Sequence, residues 1–147
     1  MNALRVDFCA ILGFIGSAIA YSFGGWTSAM STLVIFMAVD FLTGLIVAAF
    51  FRASSKTESG GLSSIVSFRG LSKKVAILAL VVVAYRLDLM LETDYIKNAT
   101  VVGFSVNELI SIVENLGLMG VPLPSVIQKA IDVLTSKGDK DENNHSK

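Results

Sequence analysis

Apolar residues in this chain gather into four long blocks, each bounded by a turn signal or a charged connection. Val6 to Phe23 is the first, about 27 Å as a helix and just long enough to span a bilayer. Within it Gly13, Gly16, Ser17 and Ala20, together with Ala10, make a small-residue face of the kind that lets helix backbones approach closely in lipid. Gly24-Gly25 breaks the pattern, and Trp26 follows where an interfacial aromatic belongs. Ala29 to Phe51 predicts the strongest spanning helix, about 34 Å long, with one charge, Asp40, near its middle. Thr43 and Gly44 share a face with Asp40 at i+3 and i+4. Val75 to Leu91 predicts a third span, whose far end carries Tyr85, Arg86 and Asp88 close enough to the interface to snorkel or pair.

The fourth block, residues 98–120, is different in kind. It is apolar enough to enter a bilayer, yet it carries Asn107, Glu108, Ser111, Glu114 and Asn115. At 3.6 residues per turn these five fall on one stripe, with Val106, Leu109, Ile110, Ile112, Val113 and Leu116 on the remainder. A carboxylate facing lipid costs several kcal/mol, so the stripe has to face other helices, a headgroup layer or water. Taken alone, the block also fits an amphipathic helix at the edge of a soluble core. Pro122 and Pro124 close it. A short amphipathic helix follows over 124–137, with Val126, Ile127, Ala130, Ile131 and Leu134 on one face and Gly138 suited to the C′ position. Residues 139–147 form a charged tail predicted to be disordered.

Composition decides between membrane and soluble core. Of 147 residues, 53% are hydrophobic and only 16% charged, against roughly 25% charged in soluble domains. The mean hydropathy is +0.67. The chain reads as an all-α integral membrane protein: one transmembrane domain over 1–138 with three to four spans, the amphipathic helix, and the tail. The first block also weighs as a signal peptide, with Arg5 as n-region and Ala18-Ile19-Ala20 resembling a cleavage site; Asp7 and the closely following second block argue against that.

Charge sets the topology. The long connection over 52–74 holds Arg52, Lys56, Arg69, Lys73 and Lys74 against one acid, Glu58, whereas Glu92 and Asp94 make the next turn acidic. The positive-inside rule places the basic connection in the cytoplasm and makes those five residues topology-setting. With four spans both termini are cytoplasmic; with three, the C-terminus changes side. The net formal charge is zero, so no global field attracts nucleic acid.

Catalytic chemistry has no foothold. Cys9 is alone in an apolar run and His145 lies in the tail, so neither a metal set nor a nucleophile–base pair can be assembled, and no cofactor loop is present. Glu108 and Glu114, at i and i+6, are about 9 Å apart along the axis, poor geometry for acting on one atom. The polar residues have two readings: Asp40, Glu108 and Glu114, with Asn107 and Asn115 beside them, line a pore between copies, or they are interhelical glue.

Three places in the sequence resemble the toxin-secretion/phage-lysis holin family. Asp40-Phe-Leu-Thr-Gly44 is similar to that family's Asp-x-x-Thr-Gly in an early span. Arg69-Gly-Leu-Ser-Lys-Lys74, leading to Arg86-Leu-Asp88, is similar to its basic loop and following helix. Asn107-Glu-Leu-Ile-Ser-Ile-Val-Glu-Asn115, with Gly117, Gly120 and Pro122-Leu-Pro124, is similar to its most recognisable block. The resemblance covers roughly residues 35 to 135. It implies a phage or prophage holin that oligomerises in the bacterial cytoplasmic membrane and opens lesions. The endolysin or a signal-less toxin is then the passing cargo, the bilayer and further copies are the partners, and an antiholin is a further partner. No reaction is implied. Two other classes stay open: a small ion channel or transporter subunit, which predicts selective, reversible conductance, and a non-pore adaptor or antiholin, which predicts none.

Overall fold

The computed structural model describes residues 2–52 and 61–133. Every regular element among them is helical: α1 (Asn2–Ser22), α2 (Ser28–Ile46), a π-helical turn that prolongs it (Val47–Phe51), α3 (Ser64–Leu91), α4 (Ile96–Leu118) and α5 (residues 125–133). Two of these helices are long and apolar enough to cross a membrane, Ser28–Phe51 and Ile96–Leu118. The apolar part of α1, Asp7–Ser22, is shorter.

Local chemistry starts and stops the helices. Thr27 caps α2, its hydroxyl oxygen accepting from the Met30 amide at 3.2 Å. The π turn ends at Arg52, whose positive φ of 47° stops the helix. Glu92 plays the same part after α3, at φ 54°. The short turn over 92–95 then makes α3 and α4 antiparallel neighbours. Asp88 holds that turn: its carboxylate accepts from Thr93 Oγ1 at 2.6 Å and from the amides of Ile96 and Lys97 at 3.0 and 2.8 Å. It therefore caps α4 from the end of the preceding helix, because Tyr95 at the N-cap position supplies no side-chain acceptor.

α2, α3 and α4 form a three-helix unit in which α2 packs mainly on α4, and α3 packs on α4 more than on α2. Met30, Leu33 and Met37 of α2, Val81 of α3 and Val101 of α4 build the core, with Phe23 inserted from the chain leading out of α1. The spacing of Met30, Leu33, Met37 and Asp40 is the i, i+3, i+4 recurrence of a single buried helix stripe. At Gly24 (φ +68°) the chain turns away under the Tyr85 ring, which lies where a Cβ would go. Lys97 Nζ adds a hydrogen bond to the Phe23 carbonyl at 3.2 Å and sits 5.4 Å from the Tyr85 ring centroid.

Two expectations are corrected here, the extent of the connection after α2 and the single stripe on α4. The connection after α2 ends at Ser63 rather than Lys74, so Arg69, Lys73 and Lys74 stand on a helix. Ile65, Val66, Phe68 and Leu71 supply its apolar positions, and long cationic side chains can ride on such a surface. Among the described residues no helix covers the small face of α1: side chains from Asp7 to Ile19 are exposed, and at Gly13 and Gly16 an added methyl group would meet nothing within 4 Å. Ser17 is exposed with them, and Ala20 is half-buried near the root of the helix. The single polar stripe on α4 is split in two, as described next. The amphipathic helix is helical through 133; its remaining positions, Lys56 and the tail lie outside the described residues.

Candidate functional site: a buried charge cluster and an outward polar edge

Two acids on two apolar helices need a shared neutraliser, and α3 supplies it. Lys74 Nζ lies 2.8 Å from Asp40 Oδ2 and also donates to Glu108 Oε2. The three side chains are only 12%, 10% and 7% exposed, so one ammonium serves two carboxylates out of water. Charged groups so placed cost several kcal/mol each unless paired, which makes the cluster interdependent.

Asn115 completes it. Its Nδ2 donates to Asp40 Oδ1 at 3.1 Å, to the Asp40 carbonyl at 3.3 Å and to Thr43 Oγ1 at 3.0 Å. Thr43 passes its own hydrogen to the Val39 carbonyl at 2.9 Å, which leaves the hydroxyl oxygen free to accept. Gly44 lies alongside, where a Cβ would meet Asn115 Nδ2 at 3.6 Å, an ordinary contact distance. Asp40, Thr43, Lys74, Glu108 and Asn115 thus tie α2, α3 and α4 together at one level. A cavity of about 90 Å³ opens beside the cluster, bordered by Gly44, Ser63, Ser67 and Gly70 as well as Asp40, Lys74 and Asn115. That is roomy enough for water and polar enough to hold it.

The other members of the α4 stripe point elsewhere. Asn107 and Glu114, two turns apart, are exposed, and Ser111 between them is half-buried. The core-facing line of α4 is Lys97, Val101, Glu108, Ile112 and Asn115, which leaves Asn107 and Glu114 on a flank that no described helix covers. Among the described residues Glu114 has no hydrogen bond or ion pair. Arg52, Arg69 and Lys73 are likewise exposed. No group of three or more potential metal ligands exists among the described residues.

Sequence reasoning treated Lys74 as one more cation of the basic connection, overlooked Lys97, and placed Asp88 at the interface without its role as the cap of α4. A signal for Lys74 existed. Acids in two separate apolar blocks demand a cation, and Lys74 is the one that directly abuts the apolar run of α3.

A charge cluster ties three helices together, and beside it the carboxylate of Glu114 stands exposed on the flank of an apolar helix. The profile of the bacteriophage holin family matches residues 17–136. The chain belongs to the bacteriophage holin family. Its relatives include an uncharacterized protein of Listeria monocytogenes, 37% identical over 93% of this chain and 92% of its own. A protein of Halalkalibacterium halodurans, also uncharacterized, is 36% identical over 95% of this chain and 98% of its own. The probable holin of Bacillus phage phi105 is 30% identical over 82% of this chain and 84% of its own. No solved structure matches. The holin match takes in α2 to α5, including every residue of the charge cluster and of the outward edge, and leaves out α1 up to Gly16. Holin family membership and the two long apolar helices together point to a membrane protein with a holin-like, non-enzymatic role.

Proposed function

We propose that the chain is a holin that oligomerises in the bacterial cytoplasmic membrane and opens lesions through which an endolysin, or a toxin without an export signal, passes to cause lysis. The observation that carries this reading is the flank of α4. Glu114 and Asn107 are exposed on a helix long and apolar enough to cross a bilayer, and none of the described residues covers them. Left against lipid, a carboxylate is costly, so other copies or the water of a lesion must cover that flank. The cluster of Asp40, Lys74 and Glu108 has the complementary part of holding α2, α3 and α4 together as the unit that assembles.

In this reading α1 to α4 all cross, with the turns after α1 and α3 outside and the basic residues Arg52, Lys56, Arg69 and Lys73 at the cytoplasmic side, where they fix orientation. α3 crosses despite Arg86 and Asp88 because both lie in its last turns, within reach of the interface. α1 presents Gly13, Gly16 and Ser17 to lipid or to other copies. An antiholin is a further partner of the same assembly.

Inducible expression in a bacterium tests this, following membrane potential and turbidity with and without a co-expressed signal-less endolysin. Abrupt depolarisation with lysis only when the endolysin is present is the expected result. Depolarisation without endolysin-dependent lysis indicates a small channel. Neither effect, with the protein in the membrane fraction, indicates an adaptor or antiholin.

A further inference from the structure

The outward flank of α4 has a charge-matched counterpart on the same chain. Arg69 and Lys73 stand one turn apart on one edge of α3, both exposed. Among the described residues neither carries an ion pair, since the ion pairs there are those of Lys74. α3 and α4 run antiparallel from their shared turn, and Lys73 and Glu114 are each about 27 Å from it at 1.5 Å per residue. Arg69 lies one turn further toward the basic end. An unpaired carboxylate and an unpaired basic edge therefore sit at one depth, yet they form no contact within the chain.

We propose that Glu114 of one copy pairs with the Arg69–Lys73 edge of a second copy. The inference rests on the assembly described above and names its contact. A bilayer holds all copies in one orientation and at one depth, so groups level within a chain are level between neighbours, and side-by-side approach needs no axial shift. Anionic headgroups repel Glu114, whereas a neighbouring guanidinium and ammonium neutralise it. Asn107, two turns along the same flank, adds a hydrogen-bonding group. A Cβ added at the adjacent Gly103 or Gly117 would meet nothing within 4 Å, which leaves room for a close helix. The α4 flank of one copy against the α3 edge of the next is a heterologous contact. Each copy keeps one free half of the joint, so the contact propagates into arcs or rings rather than stopping at a dimer.

The test uses full-length protein in bacterial membranes, with oligomers resolved by native electrophoresis after gentle extraction. Glu114→Lys alone, and Arg69→Glu with Lys73→Glu alone, each lose the oligomer bands and the endolysin-dependent lysis. Expressed together in one cell, the two variants regain both, because each carries the half that the other lacks. Should the double basic variant fail to insert, Arg69→Glu and Lys73→Glu are run singly. Wild-type oligomers in Glu114→Lys overturn the pairing, including when only ion permeability changes, the outcome expected of a carboxylate facing water. Failure of the co-expressed pair to regain oligomers overturns it as well. If the unsubstituted chain forms oligomers that both variants lose, yet causes no lysis, the lesion function is refuted and the pairing stands.

Discussion

Removing the shared cation exposes how much the buried cluster contributes. In Lys74→Met, the methylene stem is kept and the ammonium is lost. Asp40 then retains Asn115 as a donor at 3.1 Å, but Glu108 loses the one side-chain partner it has among the described residues. Two carboxylates at 10% and 7% exposure are left facing each other without a counter-charge. Stripping the partner from a buried pair costs about 3–5 kcal/mol. For a chain of this size that is a fall in Tm of about 10 °C or more. Glu108→Gln perturbs the same place in the opposite sense: it leaves Lys74 with Asp40 as a one-to-one pair, and the glutamine amide oxygen can still accept from Lys74. Its expected cost is under about 1 kcal/mol. The assay is thermal unfolding of the detergent-solubilised protein, followed by circular dichroism and by the fluorescence of Trp26. Equal stability of Lys74→Met and wild type, or a Glu108→Gln variant as weak as Lys74→Met, would refute the shared-cation description. Adding Glu108→Gln to Lys74→Met should recover part of the loss, because it removes the orphaned charge.

Two further outcomes follow from the outer end of the helices. Gly24→Ala must place a methyl group into the Tyr85 ring at a φ of +68°, so a loss of about 1–3 kcal/mol is expected in the same melting assay, and Tyr85→Ala in the same chain should relieve the steric part but not the backbone part. Asp88→Ala removes the acceptor for the Ile96 and Lys97 amides; hydrogen exchange at those two amides should accelerate while the amides of α2 keep their protection. Unchanged exchange at Ile96 and Lys97 would mean that the turn, not the carboxylate, holds the start of α4.

Much of this molecule was legible in its sequence. Blocks expected at 29–51 and 98–120 became helices over Ser28–Phe51 and Ile96–Leu118, because apolar runs ended by Gly, Pro and charge leave little freedom in where a helix starts and stops. The start of α3 was not legible. Arg69, Lys73 and Lys74 look like a hydrophilic connection when counted, and they fit a helix because Arg69 and Lys73 keep their charges exposed while Lys74 turns inward to two acids. The division of the α4 stripe was hidden for a related reason. Periodicity puts Asn107, Glu108, Ser111, Glu114 and Asn115 near one another, but the direction of the core depends on where Asp40 and Lys74 arrive from two other helices. Sequence spacing within one helix carries no information about that. The small face of α1 illustrates the same limit from the other side: residues suited to close packing were recognised, and among the described residues Gly13 and Gly16 have open space beside them.

Purified protein reconstituted into vesicles gives the most direct measurement, with a small dye and a folded fluorescent protein enclosed together. If copies of this chain open holin lesions, both cargoes leave the vesicles once the protein exceeds a threshold density, and Glu114→Lys protein at the same density releases neither. Release of the dye alone would show a narrow channel, and retention of both by the wild type would contradict lesion formation outright.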